Sequence, residues 1–388
     1  MSKSFSFDSL RRWPDIEADN LTAVDATDHL LLDLASDAIG TAPEGGVVMI
    51  GDHYGALTLG AASRFGLSGI RVHQDPLVGE LALAQNAVSE GFAPATFSNH
   101  ELDESLLTGA TVVLMQLPKS LDELDDIARA IAHWADESVV VFAGGRLKHM
   151  TVTMNEVLGR YFGRIDVSLA KQKSRVLTAS ERLADVAAPE LASEVHRDLG
   201  LTIAAAGAAF AGTKIDIGTR ALLSVLRKAA PEARDVIDLG AGTGVLAASI
   251  AKARPGVRVI ATDQSASAVA SARQTMEANG LGDRVTVVRD DGLESQPDAS
   301  ADLILLNPPF HIGNVVHTGP AHRMFSDAAR VLRPGGELWT VFNTHLAYRQ
   351  ALARIVGPTE LVTHNTKFTV TVSTRPGKTS TRSSLESE

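Results

Sequence analysis

Asn307-Pro308-Pro309-Phe310 is the stretch of this sequence best placed to do chemistry. It ends an apolar run, Leu303 to Leu306, that reads as an interior strand of a parallel sheet. Two consecutive prolines stop the strand, because neither has an N–H for the ladder and both have a fixed φ. An asparagine is thereby held at the carboxyl edge of a sheet, where open α/β sheets bind their ligands. A planar exocyclic amine on a base is a poor nucleophile, since its lone pair is delocalised into the ring. The Asn307 side-chain oxygen and the Pro308 carbonyl can each accept one N–H of such an amine, which leaves the lone pair directed at a methyl donor. Phe310 can stack on the base, a contact worth ~1–3 kcal/mol in nucleic-acid sites. Taken alone, the four residues read equally well as a strand followed by a Pro-Pro turn with Phe310 in the core. Their spacing to a second motif favours the chemistry.

That second motif is Val236-Ile237-Asp238-Leu239-Gly240-Ala241-Gly242-Thr243-Gly244, a strand running into a glycine-rich turn, after which Val245 to Ala253 reads as a helix. Gly240, Gly242 and Gly244 let the backbone pass close to a bound ligand, and the helix N-terminus helps to hold it. Asp263 lies 23 residues past Gly240 at the end of a further strand, where an acid suits a ribose diol. Val285 to Val288 is a third strand, followed by Asp290-Asp291-Gly292; the strand bearing Asn307 is the fourth, and Arg333-Pro334-Gly335-Gly336 turns into a fifth, Leu338 to Phe342.

The first half carries a parallel set of landmarks. Val47 to Ile50 precedes Gly51-Asp52-His53-Tyr54-Gly55; Ile70 to Gln74 ends at Asp75; Val112 to Met115 is stopped by Leu117-Pro118; Val139 to Phe142 precedes Gly144-Gly145. The separation from Gly51 to Asp75 is 24 residues against 23 from Gly240 to Asp263, and from Gly51 to Pro118 it is 67 against 68 from Gly240 to Pro308. Strands separated by helix-length segments, in two copies, predict a duplicated α/β domain with mostly parallel twisted sheets and helices on both faces. Thr27 to Ala38 reads as a helix leading into the first copy. The copies differ where chemistry would sit. His53 and Tyr54 replace small residues of the glycine turn, and Gln116-Leu117-Pro118-Lys119 replaces Asn307 to Phe310 without a stacking ring. One working site is expected, in the second half.

Length fits two domains, since 388 residues exceed one ordinary core. The division is expected at 185/186, in a segment (180–200) rich in Glu, Ala and Asp and lacking strand character, with a catalytic domain over 186–376 and a disordered Ser/Thr-rich tail at 377–388. No apolar run reaches membrane-spanning length, the start lacks an apolar secretory core, and there is no cysteine. A cytoplasmic, metal-free protein is the expectation. The net charge of −10 argues against a polyanionic partner, but residues 1–200 hold 16 Lys+Arg against 29 Asp+Glu while residues 201–388 hold 20 against 17. The second half can therefore meet phosphate. Lys119, Arg146 and Lys148 are the cationic candidates of the first half, although a solvated surface is their more ordinary role.

On Asp238 to Gly244 and Asn307 to Phe310 the chain resembles the class I S-adenosylmethionine-dependent methyltransferases, and more narrowly the bacterial ribosomal RNA guanine-N2 methyltransferases with two tandem Rossmann-like domains, the first having lost its cofactor site. Asp216-Ile217-Gly218-Thr219-Arg220, Asn343 to Tyr348, Asn365 to Phe368 and Gly51 to Leu57 carry the narrower resemblance, the late segments favouring the large-subunit type. The resemblance implies that Gly240, Gly242 and Gly244 pass the methionine part of S-adenosylmethionine, that Asp238 holds its amino group directly or through water, that Asp263 takes the ribose, and that Asp291 and Gly292 face the adenine, with Asp290 the alternative contact. It implies that Asn307, Pro308 and Phe310 hold a guanine of ribosomal RNA or a ribosomal subunit, with Pro309 completing the motif. The internal pair of domains makes a monomer the expectation. The rival expectations are N6-adenine or protein glutamine methylation, a small-molecule methyltransferase, and a non-catalytic RNA-binding assembly factor.

Overall fold

A computed structural model describes residues 5–309 and 319–377. By its contacts the chain divides into two compact units. One is Met1–Leu191 with the short pieces Ala206–Ala208 and Ser265–Ser267; the other is Ala192–Ala205, Ala209–Gln264 and Ala268–Glu388.

The first unit is built on seven strands: β1 (Val47–Ile50), β2 (Ile70–His73), β3 (Phe97–Asn99), β4 (Val112–Gln116), β5 (Val140–Arg146), β6 (Phe162–Val167) and β7 (Ser174–Arg182). Their order is β3-β2-β1-β4-β5-β7-β6. All pairings are parallel except those of β7, which runs antiparallel to β5 and β6. Alternate residues feed two different cores. Val48, Ile50, Val113 and Met115 pack on one face, and Val47, Met49, Val112 and Leu114 on the other. Burial on both faces is why these strands read as unbroken apolar runs.

The second unit contains a hairpin of β8 (Ala192–His196) and β9 (Leu201–Ala205), then β10 (Asp235–Leu239), β11 (Arg258–Asp263), β12 (Val285–Arg289), β13 (Ala301–Leu306), β14 (Leu332–Asn343), β15 (Thr359–His364) and β16 (Phe368–Thr374). The sheet order is β12-β11-β10-β13-β14-β16-β15, the first unit's order with each strand number raised by nine. Again only the penultimate strand, β16, is antiparallel to its neighbours. Val236, Leu303 and Leu305 face a core shared with helices Ile217–Val225 and Val245–Ala253; Ile237, Ile304 and Leu306 face one shared with Gly319–Val331 and Arg349–Ile355. The expected doubly wound, duplicated α/β architecture is present.

Three details differ from expectation. Residues 192–196 form a strand despite four exposed, unpatterned positions, because β8 is specified by backbone pairing to the apolar β9 and not by its own burial. The helix expected over Thr27 to Ala38 is two helices, Ala26–Leu34 and Ser36–Thr41, broken at Ala35. The fifth strand of the second sheet starts at Leu332; the register against β13 jumps from Ala301/Leu332 to Leu303/Glu337, so Arg333 to Gly336 bulge out of a continuous strand. Phe310 and residues 378–388 lie outside the described residues. Among the described residues no helix is long and apolar enough to cross a membrane, and no group of three or more His, Asp or Glu side chains is placed to hold a metal ion.

Candidate active site

The glycine turn follows β10 at the carboxyl edge of the second sheet. Gly240, Gly242 and Gly244 all have positive φ, at 70°, 54° and 79°. A side chain at Gly244 would lie 2.7 Å from Met276 Cε, so that glycine serves packing; around Gly242 no described atom lies within 4 Å of a notional Cβ. The turn is tied to the next strand: Gly240 N and Ala241 N both donate to Thr262 O at 2.9 Å. Asp263 Oδ2 accepts from Gly242 N at 2.9 Å, so the acid at the end of β11 is fixed against the turn.

Asp238 lies within β10, 1% exposed. Its Oδ2 accepts from Ala247 N in the first turn of helix Val245–Ala253 at 2.8 Å, and its Oδ1 has no hydrogen-bond partner among the described residues. Burial pushes this carboxyl up to about 7, the Ala247 N–H opposing the rise and the Asp263 charge adding to it. A buried acceptor left in this state costs about 1–3 kcal/mol, and such a group in a native fold calls for a donor from outside the chain.

Asn307 follows β13 directly, one strand away from Asp238, with Pro308 buried and Pro309 exposed. Its Nδ2 donates to Asp216 Oδ2 and to Thr219 Oγ1, both at 3.0 Å. Its Oδ1 is buried and has no partner among the described residues. Asp216 is the N-cap of helix Ile217–Val225 and accepts from Gly218 N at 2.7 Å and Thr219 N at 3.2 Å. The helix lies against β14 and β16 with Leu222 fully buried, which places its cap beneath the end of β13.

The acids after β12 divide their work. Asp290 is buried and accepts from Ser295 N and Ser295 Oγ, the latter at 2.7 Å, so it closes its own loop. Asp291 pairs with Arg323 Nη2 at 2.7 Å, and its partial burial holds its carboxyl above the usual range despite that cation. Gly292 has φ 68°, and any Cβ there would meet Asp327 Oδ2 at 2.3 Å. Asp216, Thr219 and Arg323 carried no assigned role in the sequence. An Asp three residues before a Thr at a helix start is a capping signal; nothing local relates it to Asn307, 91 residues away.

The first sheet shows what became of the same place. Strand register puts Ile50 opposite both His73 and Met115, as Leu239 stands opposite Thr262 and Leu306. Gln116 is therefore the counterpart of Asn307, and Gln74, not Asp75, that of Asp263; the two crossovers are equal in length, and the acid Asp75 stands one residue beyond the matching position. Met49, fully buried, replaces Asp238. Asp52 turns inward and accepts from Leu57 N at 2.7 Å and Thr58 N at 2.8 Å, at the start of the following helix. Tyr54 donates its hydroxyl to Asp15 at 2.5 Å under the Arg12 guanidinium, which lies 4.5 Å from the ring centroid. The turn is filled by its own side chains. Titrating the full chain with S-adenosylmethionine by calorimetry is expected to give one site per chain; a second site would show that this turn opens.

The residues present fit S-adenosylmethionine at the second sheet: a buried unpaired carboxylate oxygen, an uncrowded left-handed glycine and an acid closing the next strand. The chain matches the family model of the RLMG N-terminal domain over residues 1–183 and that of the methyltransferase small domain over 200–372. It is 35% identical over 383 residues to the ribosomal RNA large subunit methyltransferase G of Streptomyces avermitilis, covering 93% of this chain and 95% of that one. The protein of that name from Shewanella amazonensis is 33% identical, with 93% and 94% covered. Among solved structures, a T. thermophilus 16S rRNA N2 G1207 methyltransferase, RsmC, in complex with AdoMet and guanosine, superposes with a TM-score of 0.72 at 21% identity, over 90% of this chain and 92% of that one, a likeness of fold. These matches run through both units, and the chain belongs to the ribosomal RNA large subunit methyltransferase G family.

Proposed function

We propose that the second domain transfers a methyl group from S-adenosylmethionine to the exocyclic N2 amine of a guanine in large-subunit ribosomal RNA. The observation that carries this is the Asn307 amide, whose nitrogen is taken up by Asp216 and Thr219 and whose buried oxygen has no partner among the described residues. An amide so held presents an acceptor, and an exocyclic amine is the donor it suits.

When bound, S-adenosylmethionine supplies a methyl group activated by a sulfonium. The chain's own residues bind and align. Asp238 Oδ1 takes the ammonium of the methionine part, Gly240 to Gly244 give it room to pass, and Asp263 takes the ribose hydroxyls. We assign the adenine edge to Asp291 and the Gly292 backbone, since Asp290 is more deeply buried and already accepts from Ser295. Asn307 Oδ1 and the Pro308 carbonyl accept the two N–H groups of the guanine amine, Pro309 ends the strand so that they can, and Phe310 stacks on the base. Holding both N–H groups aims the lone pair and converts an encounter into an aligned reaction. No strong base is required, because the amine proton becomes acidic only as the new N–C bond forms. The target base must leave its stack, at a cost of roughly a few kcal/mol, which favours a loop or a partly assembled subunit. Two tandem units in one chain support action as a monomer, and a ribosomal RNA substrate supports a cytoplasmic location.

The deciding experiment is methyl transfer from radiolabelled S-adenosylmethionine to large subunits lacking the modification, followed by nucleoside identification. N2-methylguanosine is the expected product. N6-methyladenosine, or label in protein, would replace this reading by one of its rivals.

A further inference from the structure

We infer that Asp216 and Thr219 are positioning residues that fix which end of the Asn307 amide meets the substrate and sharpen its oxygen as an acceptor. The inference rests on the methyl-transfer reading and goes one step behind the residue that touches the base.

An asparagine side chain is nearly symmetric in shape, and its two ends differ only in what they can bond. Here the surroundings decide. Asp216 Oδ2 is a carboxylate oxygen and can only accept. Thr219 donates its hydroxyl proton to that same Asp216 oxygen in a short hydrogen bond, so toward Asn307 it too can only accept. Both contacts to Asn307 run at 3.0 Å and both require its NH2 end. Reversal would set the Asn307 oxygen against two acceptors. The Asp216–Thr219 pair therefore selects one of two orientations, the one with Oδ1 available to an amine. The carboxylate also stands behind the amide nitrogen and draws positive character there, which increases the negative charge on Oδ1. That matters most when the target nitrogen becomes positive as the N–C bond forms, so the effect falls on the transition state more than on binding.

Gly218 belongs to the same device. A Cβ at Gly218 would lie 3.4 Å from Asn307 Oδ1, 3.1 Å from Asp216 Oδ1 and 3.0 Å from the Phe368 ring edge, so the residue between the two orienting side chains is one that adds no further bulk beside the buried oxygen. The first sheet keeps a version of the contact without the chemistry. Gln116 Nε2 donates to Asp28 Oδ1 at 2.5 Å, at the start of the corresponding helix. A structural share in stability is therefore expected of the pair, and the test must separate the two roles.

Asp216→Asn keeps a good helix cap but sets an NH2 or a reoriented amide against Asn307. It is expected to lower kcat roughly ten- to hundredfold, with KM for undermethylated subunits and the S-adenosylmethionine Kd within about twofold of wild type. Thr219→Val is expected to lower kcat in the same direction, and Thr219→Ser to restore it. Wild-type kcat in both Asp216→Asn and Thr219→Val overturns the inference, as does a loss confined to KM or a Thr219→Ser variant as impaired as Thr219→Val. The orientation is also read without turnover. In protein labelled with ¹⁵N-asparagine, the Asn307 side-chain NH2 protons, assigned by their loss in Asn307→Ser, should exchange slowly in wild type and fast in Asp216→Asn. Fast exchange in wild type overturns the inference even if the enzyme is active. Slow exchange together with no N2-methylguanosine from wild type would instead count against the proposed reaction and leave the orientation standing.

Discussion

Asn307→Ala is expected to lower kcat by roughly 10²–10³ while leaving the S-adenosylmethionine Kd within about twofold of wild type, the magnitude typical of removing one preorganised polar group from a reacting centre. The proposed cofactor residues lie on β10, β11, the glycine turn and the turn after β12, and none of their hydrogen bonds passes through Asn307. Losing the amide therefore removes an acceptor from the amine without disturbing the donor's seat. Folding should survive. The Asn307 oxygen has no partner among the described residues, and the two acceptors its nitrogen leaves behind, Asp216 and Thr219, still bond each other and the helix N-terminus. Single-turnover transfer and calorimetry on the same preparation check the result; unchanged transfer would remove Asn307 from the mechanism.

Asp238→Asn should do two opposite things: weaken S-adenosylmethionine and stabilise the ligand-free protein. The Asp238 carboxyl is raised from 3.8 to about 7 by burial, so keeping it ionised above that pH costs on the order of 4 kcal/mol. The native state holds a proton that the unfolded chain releases near 4. Wild-type stability accordingly falls as pH rises from about 4 to about 7, and levels off above. Asparagine has no such slope, though its amide is itself desolvated, so the net gain at pH 8 is roughly 1–3 kcal/mol and shrinks toward zero at pH 4. Binding suffers because the ammonium loses a buried charged partner, a loss of about 2–5 kcal/mol or at least about 30-fold in Kd. Denaturant unfolding at pH 5 and pH 8, with cofactor titration at pH 8, checks both halves. Wild-type affinity in the variant would mean that Asp238 does not meet the ammonium.

Much of this architecture could be read from residue order. Unbroken apolar runs ending in glycine or proline at matched intervals pointed to two copies of one sheet, because strands covered on both faces carry no alternation to obscure them. Asp238, Gly240, Gly242, Gly244, Asp263 and Asn307 share one sheet edge because each ends or follows a parallel strand. What escaped the sequence depended on pairing between distant segments. Strand β8 has no burial of its own to announce it. Gln74, not the neighbouring acid Asp75, takes the place that Asp263 has in the second sheet, which strand register reveals. Asp216 and Thr219 are a plain helix cap until the end of β13 is brought above them. The partners of the two acids, Ser295 for Asp290 and Arg323 for Asp291, were likewise out of reach, the second lying on a helix 32 residues further on.

Asp52 fills its own helix terminus, and that has an outcome for the protein in its cell. At its turn one half of the chain meets its own needs as it folds, Asp52 bonded to Leu57 and Thr58 and Tyr54 to Asp15. The other half folds with an oxygen of Asp238 left unpaired among the described residues, which in our proposal is met only when methyl donor binds. A fall in that supply would reach the protein through one half alone, leaving a sound platform attached to an idle and less durable engine.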